Sequence, residues 1–311
     1  MSKNSEQKEF RCGIVALIGP PNAGKSTLLN SYVGQKVSIV TPKPQTTRNR
    51  INGIVQREDC QIIFLDTPGI HKSNQTLNRF LVETAWQAIN GTDVVLLMID
   101  GARYVDKLSL LEKEITPFTG PLKNQLDKTI IAINKIDKIK NKNKFLPIID
   151  FMSKHFEGVE IFLISALTGE GSFELLEEIK KRLPVGPPLF PEDQISSVPL
   201  RFMAAEIIRE KLFLKLEKEL PYSVAVEIEH WEEDEEKNLI KIHAVIYVAK
   251  KNHKQIVIGH RGSMLKEIGT LARKELEAIL DSKVYLQLWV KVRERWNEDE
   301  RFITYLYSEE F

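Results

Sequence analysis

Two cysteines in 311 residues, Cys12 and Cys60, are too few for a disulfide framework. Both lie in apolar, strand-like runs and read as core residues of a protein from a reducing compartment. No apolar run reaches the ~20 residues that a membrane-spanning helix needs, and no signal-peptide pattern precedes Phe10. The expected location is therefore cytoplasmic. The formal charge is only +1, from 44 Lys and Arg against 43 Asp and Glu. Net charge thus gives no sign of a polyanionic partner, and any such sign must be local. Met1–Glu9 is polar and expected to be disordered. The length suits two domains, each able to bury a core. Glycine and proline are sparse, at 16 and 14 residues, so the places where they concentrate carry information.

The first such place is residues 19–26, Gly-Pro-Pro-Asn-Ala-Gly-Lys-Ser. An apolar run, Ile14–Ile18, precedes it, and a helix-like stretch opens at Thr27. That strand–loop–helix context makes the pattern a phosphate-binding loop rather than a glycine-containing turn. Gly19 and Gly24 let backbone N–H groups turn inward around a phosphate, with Pro20, Pro21, Asn22 and Ala23 spanning the loop between them. The helix N-terminus adds partial positive charge. Lys25 supplies a point charge for β- and γ-phosphates, Ser26 a hydroxyl for Mg²⁺, and Thr27 continues the cradle.

Residues 130–137, Ile-Ile-Ala-Ile-Asn-Lys-Ile-Asp, read as a buried parallel strand ending in a polar loop. Open α/β sheets place their ligands at such strand ends. Asp137 can accept two hydrogen bonds from guanine, at N1–H and at the exocyclic amine, and such charge-assisted pairs are selective. Adenine has no donor at either place, which would leave the carboxylate unpaired at roughly 1–3 kcal/mol. Asn134 would brace the loop, and the Lys135 stem would cover the base face. Between the two motifs, Ile62–Leu65 delivers Asp66-Thr67-Pro68-Gly69 to the phosphate end. There Asp66 can hold Mg²⁺ and the Gly69 N–H can meet the γ-phosphate. A last strand, Ile161–Ile164, runs into Ser165-Ala166-Leu167, placed to touch the base from its other side.

Together these motifs resemble the P-loop GTPase class. Gln45-Thr46-Thr47-Arg48-Asn49 and Asp66-Thr67-Pro68-Gly69 narrow the likeness to the branch of bacterial ribosome- and RNA-associated GTPases. Ile70 occupies the position where many signalling GTPases carry a water-orienting Gln, so the chain is expected to hydrolyse GTP slowly. The resemblance implies that a K⁺ ion, associated with Asn22, takes the place of an arginine finger. It also implies a switch threonine that closes onto Mg²⁺, either Thr47 or Thr46. Lys25, Asn22, Thr47 and Gly69 are the expected catalytic set, and Ser26, Thr47 and Asp66 the expected metal set.

Four prolines fall within Pro184–Pro191, which excludes both a helix and a central strand. Residues 184–197 thus read as a linker between a domain at 1–183 and another at 198–311. A helix-like stretch is expected at 199–219, then strands near Ser223–Glu229 and Leu239–Val248. Ile258-Gly259-His260-Arg261-Gly262-Ser263 follows, then apolar positions at helical spacing from Met264 to about Leu280. A strand, Val284–Val292, and a last helix, Glu298–Tyr305, complete the pattern. Gly-x-x-Gly at a helix entrance is the KH clamp, where a single-stranded backbone lies close against the chain. His260 and Arg261 bring donors and charge to the phosphates, with Lys266 one turn on. Lys250, Lys251, His253, Lys254, Arg273 and Lys274 make the region basic. Glu232–Glu236 is expected as a solvated hairpin loop facing away from RNA. Trp289 and Trp296 are expected in core packing, and His71-Lys72 in a solvated loop.

With Arg201–Lys211 and Leu220–Val226, nearly the whole chain resembles the Era-like family, GTPases with a C-terminal KH domain. The implied fold is an α/β P-loop domain, mostly parallel with helices on both faces, followed by an α+β type II KH domain. The implied function is a GTP/GDP switch with Mg²⁺ that binds small-subunit ribosomal RNA near its 3′ end during 30S assembly. The chain is expected to act as a monomer. Two rivals are an RNA-binding module with a structural nucleotide and a regulator peripheral to the inner membrane, for which a basic amphipathic stretch at 207–218 is the one hint.

Overall fold

The computed structural model describes residues 9–70 and 75–307. Met1–Lys8 and the His71-Lys72 pair lie outside the described residues. The described chain divides into two compact units, one of residues 9–38, 47–70 and 81–197, the other of 39–46, 75–80 and 198–307.

In chain order the first half contains β1 (Arg11–Ile18), α1 (Lys25–Val33), β2 (Ile51–Gln56), β3 (Cys60–Asp66), α2 (Thr76–Gln87), β4 (Val94–Asp100), α3 (Gly101–Tyr104), α4 (Leu108–Leu122), β5 (Thr129–Asn134), α5 (Leu146–His155), β6 (Glu160–Leu163) and α6 (Ser172–Arg182). The six strands form one sheet in the order β2-β3-β1-β4-β5-β6. All neighbours are parallel except β2 and β3. Strand period two sorts the near-continuous apolar runs onto two faces. Val15, Leu17, Leu96, Met98, Ile130 and Ala132 pack toward α1 and α6. Their neighbours Ala16, Ile18, Leu97, Ile99, Ile131 and Ile133 pack toward α3, α4 and α5. Each Val, Leu, Ile or Met among them contributes about 1.5–3 kcal/mol on burial, which makes this double-sided sheet a rigid base for its loops. Cys12 and Cys60 are buried and free, as read.

Residues 184–197, expected as a linker, are held by the first unit. Fully buried Gln61 on β3 accepts from the N–H groups of Leu189 (2.7 Å) and Phe190 (2.9 Å) and donates to the Phe190 carbonyl (2.7 Å). The Ile54 N–H donates to the Ile195 carbonyl, and the Ser196 hydroxyl to that of Asn52.

The second half contains α7 (Leu200–Lys215), β7 (Val224–Asp234), β8 (Leu239–Val248), α8 (Lys251–Ile258), α9 (Ser263–Leu280), β9 (Lys283–Val292) and α10 (Glu300–Tyr307). Its sheet runs β7-β8-β9, antiparallel then parallel. Ile208, Leu212, Ile242, Ala244, Ile246, Val257, Ile268 and Leu276 form one core beneath α7, α8 and α9.

Two expectations are corrected here. Glu232, Glu233 and Asp234 belong to β7 rather than to a loop, because Lys241 pairs with Glu232 (2.8 Å), the Trp231 indole donates to Glu233 and Lys237 pairs with Asp234. Residues 251–258, to which the sequence pattern assigned no element, form a helix whose Val257 is buried. Trp289 is 53% exposed on β9, on the sheet face away from α7, α8 and α9, whereas Trp296 is buried with its indole donating to the Ser223 carbonyl. Within the stretch at 207–218, residues 207–213 are buried in the second unit, whereas Leu214 is 49% exposed. No helix among the described residues is long and apolar enough to cross a membrane.

Candidate nucleotide and RNA sites

The loops at the carboxyl ends of β1, β3 and β5 converge. After β1 the chain turns through Gly19 (φ +144°), Asn22 (φ +61°) and Gly24 (φ +99°) into α1. The Lys25 ammonium folds back to the Gly19 and Pro20 carbonyls at 3.2 and 3.3 Å. Burial pushes its pKa down to about 8, against the pull of Asp66. Asp66, at the end of β3, is fully buried; burial pushes its carboxyl up, while Lys25 and three hydroxyls hold it down.

Those hydroxyls define a cluster. Asp66 Oδ2 accepts from Ser26 (2.5 Å), Ser38 (2.8 Å) and Thr47 (3.4 Å), and Ser26 and Thr47 lie 3.1 Å apart. Asp66 Oδ1 is buried with no hydrogen-bond partner among the described residues. An orphaned carboxylate oxygen beside two hydroxyls is a hard, oxygen-only donor set that suits Mg²⁺. Between the two threonines left open by the sequence, Thr47 joins this cluster; Thr46 bonds instead to the Thr41 hydroxyl and the Lys43 carbonyl. Ser38 is a member that no motif announced. Thr67 donates to the Leu17 carbonyl, which anchors Pro68 and Gly69 against the loop after β1. The Ile70 side chain is 3% exposed and packs in the core.

The loop after β5 is braced as read. Asn134 Nδ2 donates to the Ala23 carbonyl (2.8 Å), and its Oδ1 accepts from the N–H groups of Lys135 and Ala166. Asp137 is exposed; one oxygen accepts from Ser165 (2.6 Å), itself fixed by the Thr168 N–H. Ser165 and Ala166 are buried, while Leu167 is 76% exposed. Lys135 donates to the Asn22 carbonyl (2.5 Å) and to Asp100 (2.6 Å), a residue that sequence reasoning passed over.

In the second unit, Gly259, Gly262 and Arg261 all have positive φ, at +74°, +80° and +49°. The turn they make ends α8 and starts α9, whose N-terminal N–H groups face the loop. His260, Arg261, Ser263 and Lys266 are exposed or half-buried, and Ile258 is half-buried beside them. This is an accessible, basic, glycine-flanked helix entrance.

Residues 14–135 match the family described as 50S ribosome-binding GTPase, and residues 219–297 the KH domain family. The chain is 52% identical over 295 residues to a GTPase Era of Nitratidesulfovibrio vulgaris, covering 95% of this chain and 96% of that one. The chain belongs to the GTPase Era family. The Thermotoga maritima member is 48% identical over 295 residues, covering 94% and 96%. Among solved structures, an Aquifex aeolicus Era variant bound to GDP and AlF₄⁻ superposes with a TM-score of 0.85 at 43% identity, covering 96% of this chain and 99% of that one. An Era bound to MgGDPNP and nucleotides 1506–1542 of 16S ribosomal RNA superposes with a TM-score of 0.86, at the same identity and coverage. This Era-family chain is therefore a GTPase, with an N-terminal P-loop domain and a C-terminal type II KH domain.

Proposed function

We propose that this GTPase is a nucleotide-driven switch that grips the 3′ end of small-subunit ribosomal RNA during 30S assembly, working as a cytoplasmic monomer. The observation that carries the nucleotide half is the convergence of Ser26, Thr47 and Asp66 around an unsatisfied carboxylate oxygen. Ser26 and Thr47 would hold Mg²⁺, with Asp66 behind them. The metal, when bound, supplies charge for the β- and γ-phosphates. Residues 19–27 cradle the phosphates, Lys25 neutralises them, and Gly69 senses the γ-phosphate. Asn134, Lys135, Asp137 and the Ser165–Leu167 loop take the base. With Ile70 buried, no side chain at that position can align water, and Asn22 with a K⁺ ion is the expected supplement. Ile258–Ser263 and Lys266 clamp the RNA backbone, and a groove of this kind takes about four bases. The solved relative with 16S nucleotides supports this partner.

Asp137→Asn should weaken GTP binding and gain xanthosine triphosphate, since Asn presents an amine where xanthine presents a carbonyl. Competition binding with both nucleotides tests it; full retention of GTP affinity would exclude Asp137 as the base reader. Turnover should be faster in potassium than in sodium at equal ionic strength, with Asn22→Ala narrowing the gap. Equal rates in the two salts, with and without RNA, would remove K⁺ from the scheme.

A further inference from the structure

We propose that Asp100 is a positioning residue for guanine-nucleotide binding, acting through Lys135. The inference rests on the assignment of the loop after β5 as the base site. Asp100 is the last residue of β4, the strand lying between β1 and β5, and its backbone stands in register with Asn134. It thus sits between the phosphate loop and the base loop, on the sheet itself. Both oxygens of its carboxylate are engaged. Oδ1 accepts from the Arg103 N–H (3.2 Å) and caps α3, while Oδ2 accepts from Lys135 Nζ (2.6 Å). The cap fixes the carboxylate, and the carboxylate fixes the lysine.

Lys135 has reason to need fixing. It is one of the few non-glycine residues with positive φ, at +66°, a conformation that turns its side chain back over the phosphate loop. A free lysine stem samples many rotamers, and holding it still costs entropy at the moment a ligand arrives. Here the ammonium spans two anchors that the protein itself supplies, the Asn22 carbonyl and Asp100. The side chains of Lys135 and Asp100 are 23% and 15% exposed, so water screens the pair less than a surface pair. The apolar stem is thereby laid out ready-made for the base, which is preorganisation of a binding surface. An uncharged or absent partner at 100 leaves the Asn22 carbonyl as the anchor, and more of the stem's ordering falls to the nucleotide.

The test is the dissociation rate of a fluorescent GDP from the full chain. Asp100→Asn retains an oxygen for the α3 cap, since Asn is a good N-cap, but removes the charge. It should speed GDP release about tenfold, which corresponds to 1.4 kcal/mol. Lys135→Ala should do the same or more. In the Lys135→Ala background, Asp100→Asn should add little, because the two act as a unit. A merely structural role for Asp100 predicts instead that its effect persists unchanged without Lys135, and that result would overturn the proposal. So would unaltered release from Asp100→Asn. Thermal melting of each variant identifies one that has lost its fold, and Asp100→Asn is then replaced by Asp100→Ser, which keeps a cap and lacks the charge. A wild-type chain that showed no preference for GDP over ADP would overturn the base-site assignment together with this inference, whereas normal GDP preference with unaltered release would overturn this inference alone.

Discussion

The molecule carries two glycine-punctuated loops at helix entrances, and they differ at their second glycine. In the loop at 19–26 the glycines are demanded by the protein's own packing. A Cβ on Gly19 would lie 2.1 Å from the Met98 carbonyl oxygen, and one on Gly24 2.2 Å from Asn134 Nδ2. In the loop at 259–262 the first glycine is likewise demanded, its Cβ falling 2.7 Å from that of Met264, but a Cβ on Gly262 would meet nothing within 4 Å. Gly262 answers to its positive φ and to whatever comes close from outside. The first loop is thus closed on itself at both glycines, and the second leaves room beside Gly262. A compact phosphate chain needs many aligned N–H groups, whereas a threaded RNA backbone needs clearance.

This contrast breaks most visibly at Gly24. Gly24→Ala should cost nucleotide affinity at least about tenfold, since φ of +99° and the collision with Asn134 strain both loops. Fluorescent-nucleotide titration measures it, and unchanged affinity would show that the loop yields at this collision. Gly262→Asp should then abolish binding of a short single-stranded RNA from the small-subunit 3′ end while leaving the melting temperature nearly unchanged. Asp tolerates positive φ better than most residues, and the space there is open. Retained RNA affinity would detach the KH clamp from this loop, and the GTPase rate measured without RNA reports separately on the first unit. The smallest effect is expected from His260→Ala combined with Arg261→Ala. RNA binding should weaken and its salt dependence flatten, by about 0.7 in log–log slope for each phosphate no longer neutralised. An unaltered slope across a potassium chloride series would place those side chains off the backbone.

Where a motif's chemistry and its strand context coincide, the sequence was enough to place it. Asn134 braces the phosphate loop as its position after a buried strand implies. The choice between Thr46 and Thr47 was not legible, because adjacent residues of one loop differ only in the direction their side chains take. Ser38 and Asp100 were illegible for a related reason. Each belongs to a segment without a motif, and its partner lies 28 or 35 residues away in the chain. A polar residue closing an otherwise apolar strand, as Asp100 closes Val94–Ile99, was the one available signal, since such strand ends face the ligand edge of an α/β sheet. The helix at 251–258 was hidden by its polarity: of its eight residues only Val257 is buried, so no apolar stripe marks it. Glu232–Asp234 read as a loop because charge runs usually are loops. The cross-strand partner Lys241 that keeps the segment in β7 is visible only once the register is known.

The amide of Gln61 has a bearing on biosynthesis. It is buried on a strand made early, and its partners Leu189 and Phe190 lie 128 and 129 residues further along. While the chain is being synthesised, a sheet formed by residues up to 183 holds a polar group with two of its strongest partners still missing. Until they arrive Gln61 keeps only Gln56 Oε1 (2.9 Å) and the Cys12 thiol, and its sheet face lacks the cover of Phe190; closing a core over an unpaired amide would cost about 1–3 kcal/mol, so closure waits for the later segment. The proline-rich stretch therefore acts as a late latch. The first unit gains its full stability only as the ribosome delivers residues beyond 183, just before the RNA-binding half begins to emerge.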